Sequence, residues 1–158
     1  MKNPQLNSKS QFHSTNAGRK RERQVAQEQR RSLFIKEQDH YALAVFTSDK
    51  CPYCPTQVNT LRYFSDKHGW PTREINIDNH MEIAARYNVT VTPMTILISK
   101  RSKDWIPVSV GLSPVVTIEE NAYRGIRLLK GDITAQEYIV PEHRKDGFFD
   151  PTYTEYDQ

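Results

Sequence analysis

The chain has two cysteines, Cys51 and Cys54, and they stand two residues apart in Cys51-Pro52-Tyr53-Cys54. That spacing lets the second thiol close back on the first as a disulfide. A thiolate at Cys51 can attack a disulfide sulfur, and Cys54 can then resolve the mixed disulfide. The same spacing also serves as half of a zinc site or as a structural staple. A structural zinc site takes about four ligands, and His13, His40, His68, His80 and His143 include no short-spaced pair to complete one. A staple across two residues constrains little of the unfolded chain. Redox chemistry with no metal and no cofactor is therefore the favoured reading, with Cys51 as nucleophile and Cys54 as resolving thiol.

The surrounding elements decide how the pair is presented. Residues 42–47, Ala-Leu-Ala-Val-Phe-Thr, read as a short buried strand, and Ser48-Asp49-Lys50 as a turn. Val58, Leu61 and Phe64 recur at helical spacing across residues 56–68. Cys51 is then expected where a helix begins, facing backbone N–H groups that lack intrahelical partners and favour a thiolate. Pro55 conflicts with a helix capped by Cys51, because its ring removes a hydrogen bond and crowds a carbonyl. The sequence thus predicts a displaced first turn and a weaker pull on the Cys51 thiol.

Residues 72–77 alternate as a strand, residues 80–87 suit a short helix, and residues 94–98 and 105–110 read as two further strands joined by a charged turn. Pro107 suits an edge or a bulge. Residues 118–130 have helical spacing, with early glutamates, late cations and Gly131 as a stop. Strand and helix alternation predicts parallel pairing with right-handed crossovers, and the last two strands must pair antiparallel. The expected fold class is α/β, a mixed four-stranded sheet with helices on both faces, in a domain over 42–131.

Around that domain, residues 1–18 are polar and expected to be disordered. Residues 19–41 read as a basic, largely exposed helix whose C-terminal half docks on the domain. Residues 132–158 form a polar tail with scattered aromatics that wraps the domain or awaits a partner. Residues 1–41 carry nine Lys/Arg and four Asp/Glu (+5), and the rest carries thirteen and fifteen (−2), giving the chain's net +3. Glutamates interrupt the basic arm, so a solvated helix is favoured over a nucleic-acid contact. At 37% hydrophobic residues and a mean hydropathy of −0.74, the chain shows no run long enough to span a membrane. Residues 1–6 carry no apolar stretch of the kind that marks a secretory signal, which by itself points to the cytoplasm.

Cys51-Pro52-Tyr53-Cys54 after the first strand and Val91-Thr92-Pro93 before the third resemble the thioredoxin superfamily. More extended stretches are similar to the TraF-like thioredoxin-fold proteins of conjugative type IV secretion systems: residues 19–38, 64–70 ending in Gly-Trp, Tyr87-Asn88-Val89 and 107–113. The resemblance implies a thioredoxin-like three-layer fold in which Pro93 is cis and faces the cysteines, with Thr92 offering its backbone to substrate. Pro52, Tyr53, Thr92 and Pro93 are then the expected substrate-binding residues. It also implies a periplasmic thiol–disulfide oxidoreductase or isomerase that assists conjugative transfer components. The expected partners are protein thiols and disulfides and a redox protein that resets the pair. Two other readings stand beside it. The Cys-Pro-Tyr-Cys tetrad also looks like a glutaredoxin-type, glutathione-dependent reductase, and the fold can serve as a non-catalytic assembly factor.

Overall fold

The computed structural model describes residues 15–139. Residues 1–14 of the expected disordered segment and residues 140–158 of the expected tail lie outside them. The chain runs α1 (Asn16–Glu37), β1 (Tyr41–Thr47), α2 (Cys54–His68), β2 (Thr72–Asn76), α3 (Met81–Arg86), β3 (Met94–Ser99), β4 (Trp105–Val110), α4 (Val115–Leu129) and α5 (Ala135–Ile139). Helix α1 starts three residues before the predicted boundary. The Thr15 hydroxyl accepts from the Gly18 N–H at 3.0 Å, which satisfies one of the first-turn donors.

The four strands form one sheet in the order β2-β1-β3-β4. Only β1 and β2 pair parallel, while β3 runs antiparallel to both β1 and β4. Alternation of strand and helix predicted parallel pairing, but α3 has only six residues, and the chain enters β3 in the reverse direction on the far side of β1. Pro107 sits on the edge strand β4, opposite Ile96, where the register shifts between Thr95 and Ile96. A bulge at an edge tolerates a residue that cannot donate to the ladder.

The period of two along β1 divides the core. Leu43 and Val45 join Leu61 and Phe64 of α2 and Ile118, Ala122 and Ile126 of α4 on one face. Ala44 and Phe46 join Met94 and Ile96 on the other, under Ile83 and Tyr87 at α3. Helices thus cover both faces of a mixed sheet, an α/β thioredoxin-like fold. Helix α4 comes unusually close to the strands at Gly125. A Cβ there would stand 2.9 Å from Leu97 Cδ2 and 3.3 Å from Ile106 Cγ2. Alanine is the better helix former by about 1 kcal/mol, yet crowding a packed core costs roughly 1–3 kcal/mol. Gly125→Ala is therefore expected to lower stability, read as a lower midpoint in denaturant.

Helix α1 is joined to this core through its C-terminal end. Phe34 is fully buried and meets Phe64, His68 and Trp70 edge-on, with ring centroids 4.7–5.4 Å apart. The Trp70 indole N–H donates to the Phe34 carbonyl at 2.8 Å. Glu37 accepts from Lys130 at 2.9 Å and pairs with His40 at 3.0 Å. Gly69, at φ +67°, closes α2 and donates to the Ser65 carbonyl, a backbone state that glycine enters freely.

A buried polar pair locks α2 to α4. Glu119 accepts from Lys67 at 2.9 Å and meets His68 Nε2 at 2.7 Å. Burial holds the His68 imidazole below its ordinary range, although Glu119 pulls the other way. Burial pushes the Glu119 carboxyl up, but hydrogen bonds from Lys67 and His68 outweigh it and leave the group below its ordinary range. Both groups bind protons more weakly in the folded state than in the unfolded one. Their contribution is complete above the ordinary histidine value of 6.5 and is lost as pH falls, with Glu119 adding its share below 4.5. Denaturant midpoints are expected to drop as pH falls from 7, first through His68, and Glu119→Gln should flatten the part of the profile that lies below pH 4.5.

Candidate dithiol–disulfide site

Cys51 and Cys54 are joined by a disulfide with S–S 2.14 Å, a dihedral of 89° and a Cα–Cα distance of 5.4 Å. Helix α2 begins at Cys54 with Tyr53 as its N-cap, so Cys51 precedes the helix by three residues rather than opening it. Pro55 then falls at the second helical position, where the N–H it lacks would have no intrahelical partner. This is the displaced first turn that Pro55 predicts. Because the influence of a helix dipole fades within about one turn, Cys51 stands at its margin.

The two sulfurs differ in access. Cys54 is 3% exposed, whereas Cys51 is half-buried. Cys51 is therefore the more open residue of the two, although both line one groove.

The Thr92–Pro93 peptide is cis. The Ser48 and Thr92 hydroxyls lie 2.7 Å apart, which ties the turn before the cysteines to the residue before the proline. The Gly111 N–H donates to the Pro93 carbonyl at 2.8 Å, so the end of β4 flanks the same loop. Pro93 is buried, Thr92 half-buried, and Pro52 and Tyr53 exposed. Tyr53, Val110 and Leu112 are exposed by 61%, 64% and 46%, placing apolar side chains on the segments around the pair. The structure thus brings Cys51 and Cys54 together with the Thr92-Pro93 loop, while Tyr53 stands out from the tetrad into solvent.

On the β2 side the pair opens into a polar groove of about 340 Å³, lined by Thr47, Cys51, Cys54, Asn59, Arg62 and Glu74 among others. The Thr47 hydroxyl donates to Glu74 at 3.4 Å. The turn ahead of the cysteines is braced there: Asn76 Nδ2 donates to Asp49 at 2.7 Å, and the Asp49 N–H donates to Asp78 at 2.7 Å.

Sequence reasoning missed this groove, and it missed Gln57. That side chain is fully buried; its amide donates to the Ser113 carbonyl at 3.1 Å and accepts from the Ser113 N–H at 2.7 Å. The available signal was position, since Gln57 follows Cys54 by three residues and so shares its helix face.

Solved structures similar to this chain include a thioredoxin variant from Halobacterium salinarum, 19% identical over 56% of this chain and 77% of that one, with a TM-score of 0.49. A thioredoxin-like protein from Clostridium perfringens is 20% identical over 54% and 71%, with a TM-score of 0.48. A thioredoxin from Thermus thermophilus is 20% identical over 60% and 81%, with a TM-score of 0.44. No curated protein matches. Among the described residues no helix is long and apolar enough to cross a membrane. The chain belongs to the TraF family, whose model, described as F plasmid transfer operon protein, matches residues 1–123.

Proposed function

We propose that the protein is a thiol–disulfide oxidoreductase or isomerase that assists folding or assembly of conjugative transfer components in the periplasm. The observation that carries the chemistry is the Cys51–Cys54 disulfide, with Cys51 the more open sulfur, beside the Thr92-Pro93 loop. The family supports the setting in conjugation.

In the oxidised state, a substrate thiolate attacks Cys51 Sγ. The Cys51–Cys54 bond breaks, a substrate–Cys51 mixed disulfide forms, and Cys54 leaves as a thiolate that takes up a proton. A second substrate thiolate then attacks its own mixed-disulfide sulfur and expels Cys51. The substrate gains a disulfide, two electrons pass to the pair, and a redox partner must reoxidise it. Run in reverse, the dithiol reduces a substrate disulfide; attack and release without net transfer is isomerisation. The backbone of Thr92 is offered to pair with a substrate strand. Tyr53 and the neighbouring apolar side chains supply contact area.

The test is the reduction potential of the pair, equilibrated against glutathione buffers. A value of roughly −120 to −180 mV fits a donor or isomerase acting on exported proteins. A value of roughly −200 mV or below indicates a reductase and overturns the proposed direction. Transfer supported equally well by a double Cys51→Ser, Cys54→Ser variant would leave only a binding role.

A further inference from the structure

Gln57 follows Cys54 by three residues on the same side of α2, and its side chain is fully buried. Burying an amide is costly unless both its donor and its acceptor are met. Here both are spent on the main chain of one residue. The Nε2 group donates to the Ser113 carbonyl at 3.1 Å, and the Ser113 N–H donates to Oε1 at 2.7 Å. Ser113 lies between the end of β4 at Val110 and the Pro114 N-cap of α4. The amide does not cap that helix, because the Thr117 and Ile118 N–H groups donate to the Pro114 carbonyl. It holds the segment ahead of the helix.

That segment is held at a second point. The Gly111 N–H donates to the Pro93 carbonyl at 2.8 Å. The Ser109 hydroxyl of β4 lies 3.0 Å from the Gly111 carbonyl oxygen and 2.7 Å from Ser113 Oγ. Leu112 stands between the two anchored residues and is 46% exposed. One of its neighbours is thus tied to the cis Thr92–Pro93 loop and the other to the helix that carries Cys54. An apolar side chain left in water gains by covering another apolar group. One whose neighbours are already fixed loses less freedom in doing so.

We propose that Gln57 is a positioning residue of the dithiol site: by holding Ser113 it keeps Leu112 where an apolar side chain beside a client's reacting cysteine rests on it. The inference depends on the thiol–disulfide reading above and adds a substrate class to it, cysteines flanked by apolar residues. Gln57 acts through Ser113 and Leu112 and takes no part in the exchange itself.

The test measures how fast dithiols reduce the Cys51–Cys54 disulfide of the oxidised full chain. The probes are two unstructured peptides, each with a pair of cysteines flanked by leucines in one and by serines in the other, and dithiothreitol as a dithiol without flanking residues. The leucine peptide is expected to react roughly fivefold faster than the serine peptide. Leu112→Ser should abolish that preference. Gln57→Met, which keeps the length of the side chain and removes both hydrogen bonds, should abolish it too, although Leu112 is intact. A merely loosened fold would change both rates together and leave their ratio. If Gln57→Met does not fold, Gln57→Glu, which keeps only the acceptor, takes its place. An undiminished preference in the Gln57 variant would make that residue structural and overturn the inference, and so would a wild type that reacts with both peptides alike. If dithiothreitol reduces the pair but neither peptide does, the thiol–disulfide reading itself fails.

Discussion

Cys51→Ser is expected to reduce thiol–disulfide turnover on a protein substrate by a factor on the order of 10³ or more, because in the proposed function each exchange passes through that sulfur. Cys51 is the accessible member of the pair and Cys54 is 3% exposed. The two substitutions should therefore fail differently. Cys51→Ser leaves a thiol that substrates hardly reach, and no covalent complex should accumulate. Cys54→Ser leaves the attacking sulfur and removes the one that resolves it, so mixed disulfides should persist on non-reducing gels. Turnover retained by Cys51→Ser, or complexes trapped by it in place of Cys54→Ser, would reverse the roles. Neither change should much alter stability, since the closed loop spans only two intervening residues.

Phe34→Ala is expected to cost about 3–5 kcal/mol, the range for deleting a fully buried phenylalanine. Against a total of roughly 5–15 kcal/mol for a domain, that is a large share, and the melting temperature should fall by roughly 10 °C or more. The reason is position. Phe34 touches Phe64, His68 and Trp70 at once, and its carbonyl receives the Trp70 indole. A cavity there loosens α1 and also the end of α2, whose other end carries Cys54. Calorimetry with an unchanged cysteine count would isolate the effect. A loss below about 1 kcal/mol would mean that α1 merely lies on the domain.

The contrast between these two sites shows what a sequence discloses. Cysteines at short spacing between a strand and a helix announce their chemistry, and Val91-Thr92-Pro93 becomes meaningful once they are seen. The conflict posed by Pro55 was also readable, because its missing N–H is tolerable only in a first turn. The reversed direction of β3 was not. A six-residue helix and two loops can return a strand on either side, and the residues of β3, all apolar but for Thr95 and Ser99, pair equally well in both senses. Gln57 was hidden for a related reason. Glutamine is an ordinary surface helix former, and its burial depends on a main-chain segment more than fifty residues later. The groove beside Arg62 and Glu74 likewise arises only when β2 is laid parallel to β1.

Gln57 carries one consequence further. Its amide answers both the N–H and the C=O of Ser113, as a neighbouring strand would. The Ser109 hydroxyl in turn donates to Ser113 Oγ, and the Gly111 N–H donates to the Pro93 carbonyl. Helix α2, the proline loop and the approach to α4 are thus clasped together by side-chain and main-chain hydrogen bonds. On the proposed function, a mouth so clasped is better suited to an extended stretch of client chain than to a folded surface.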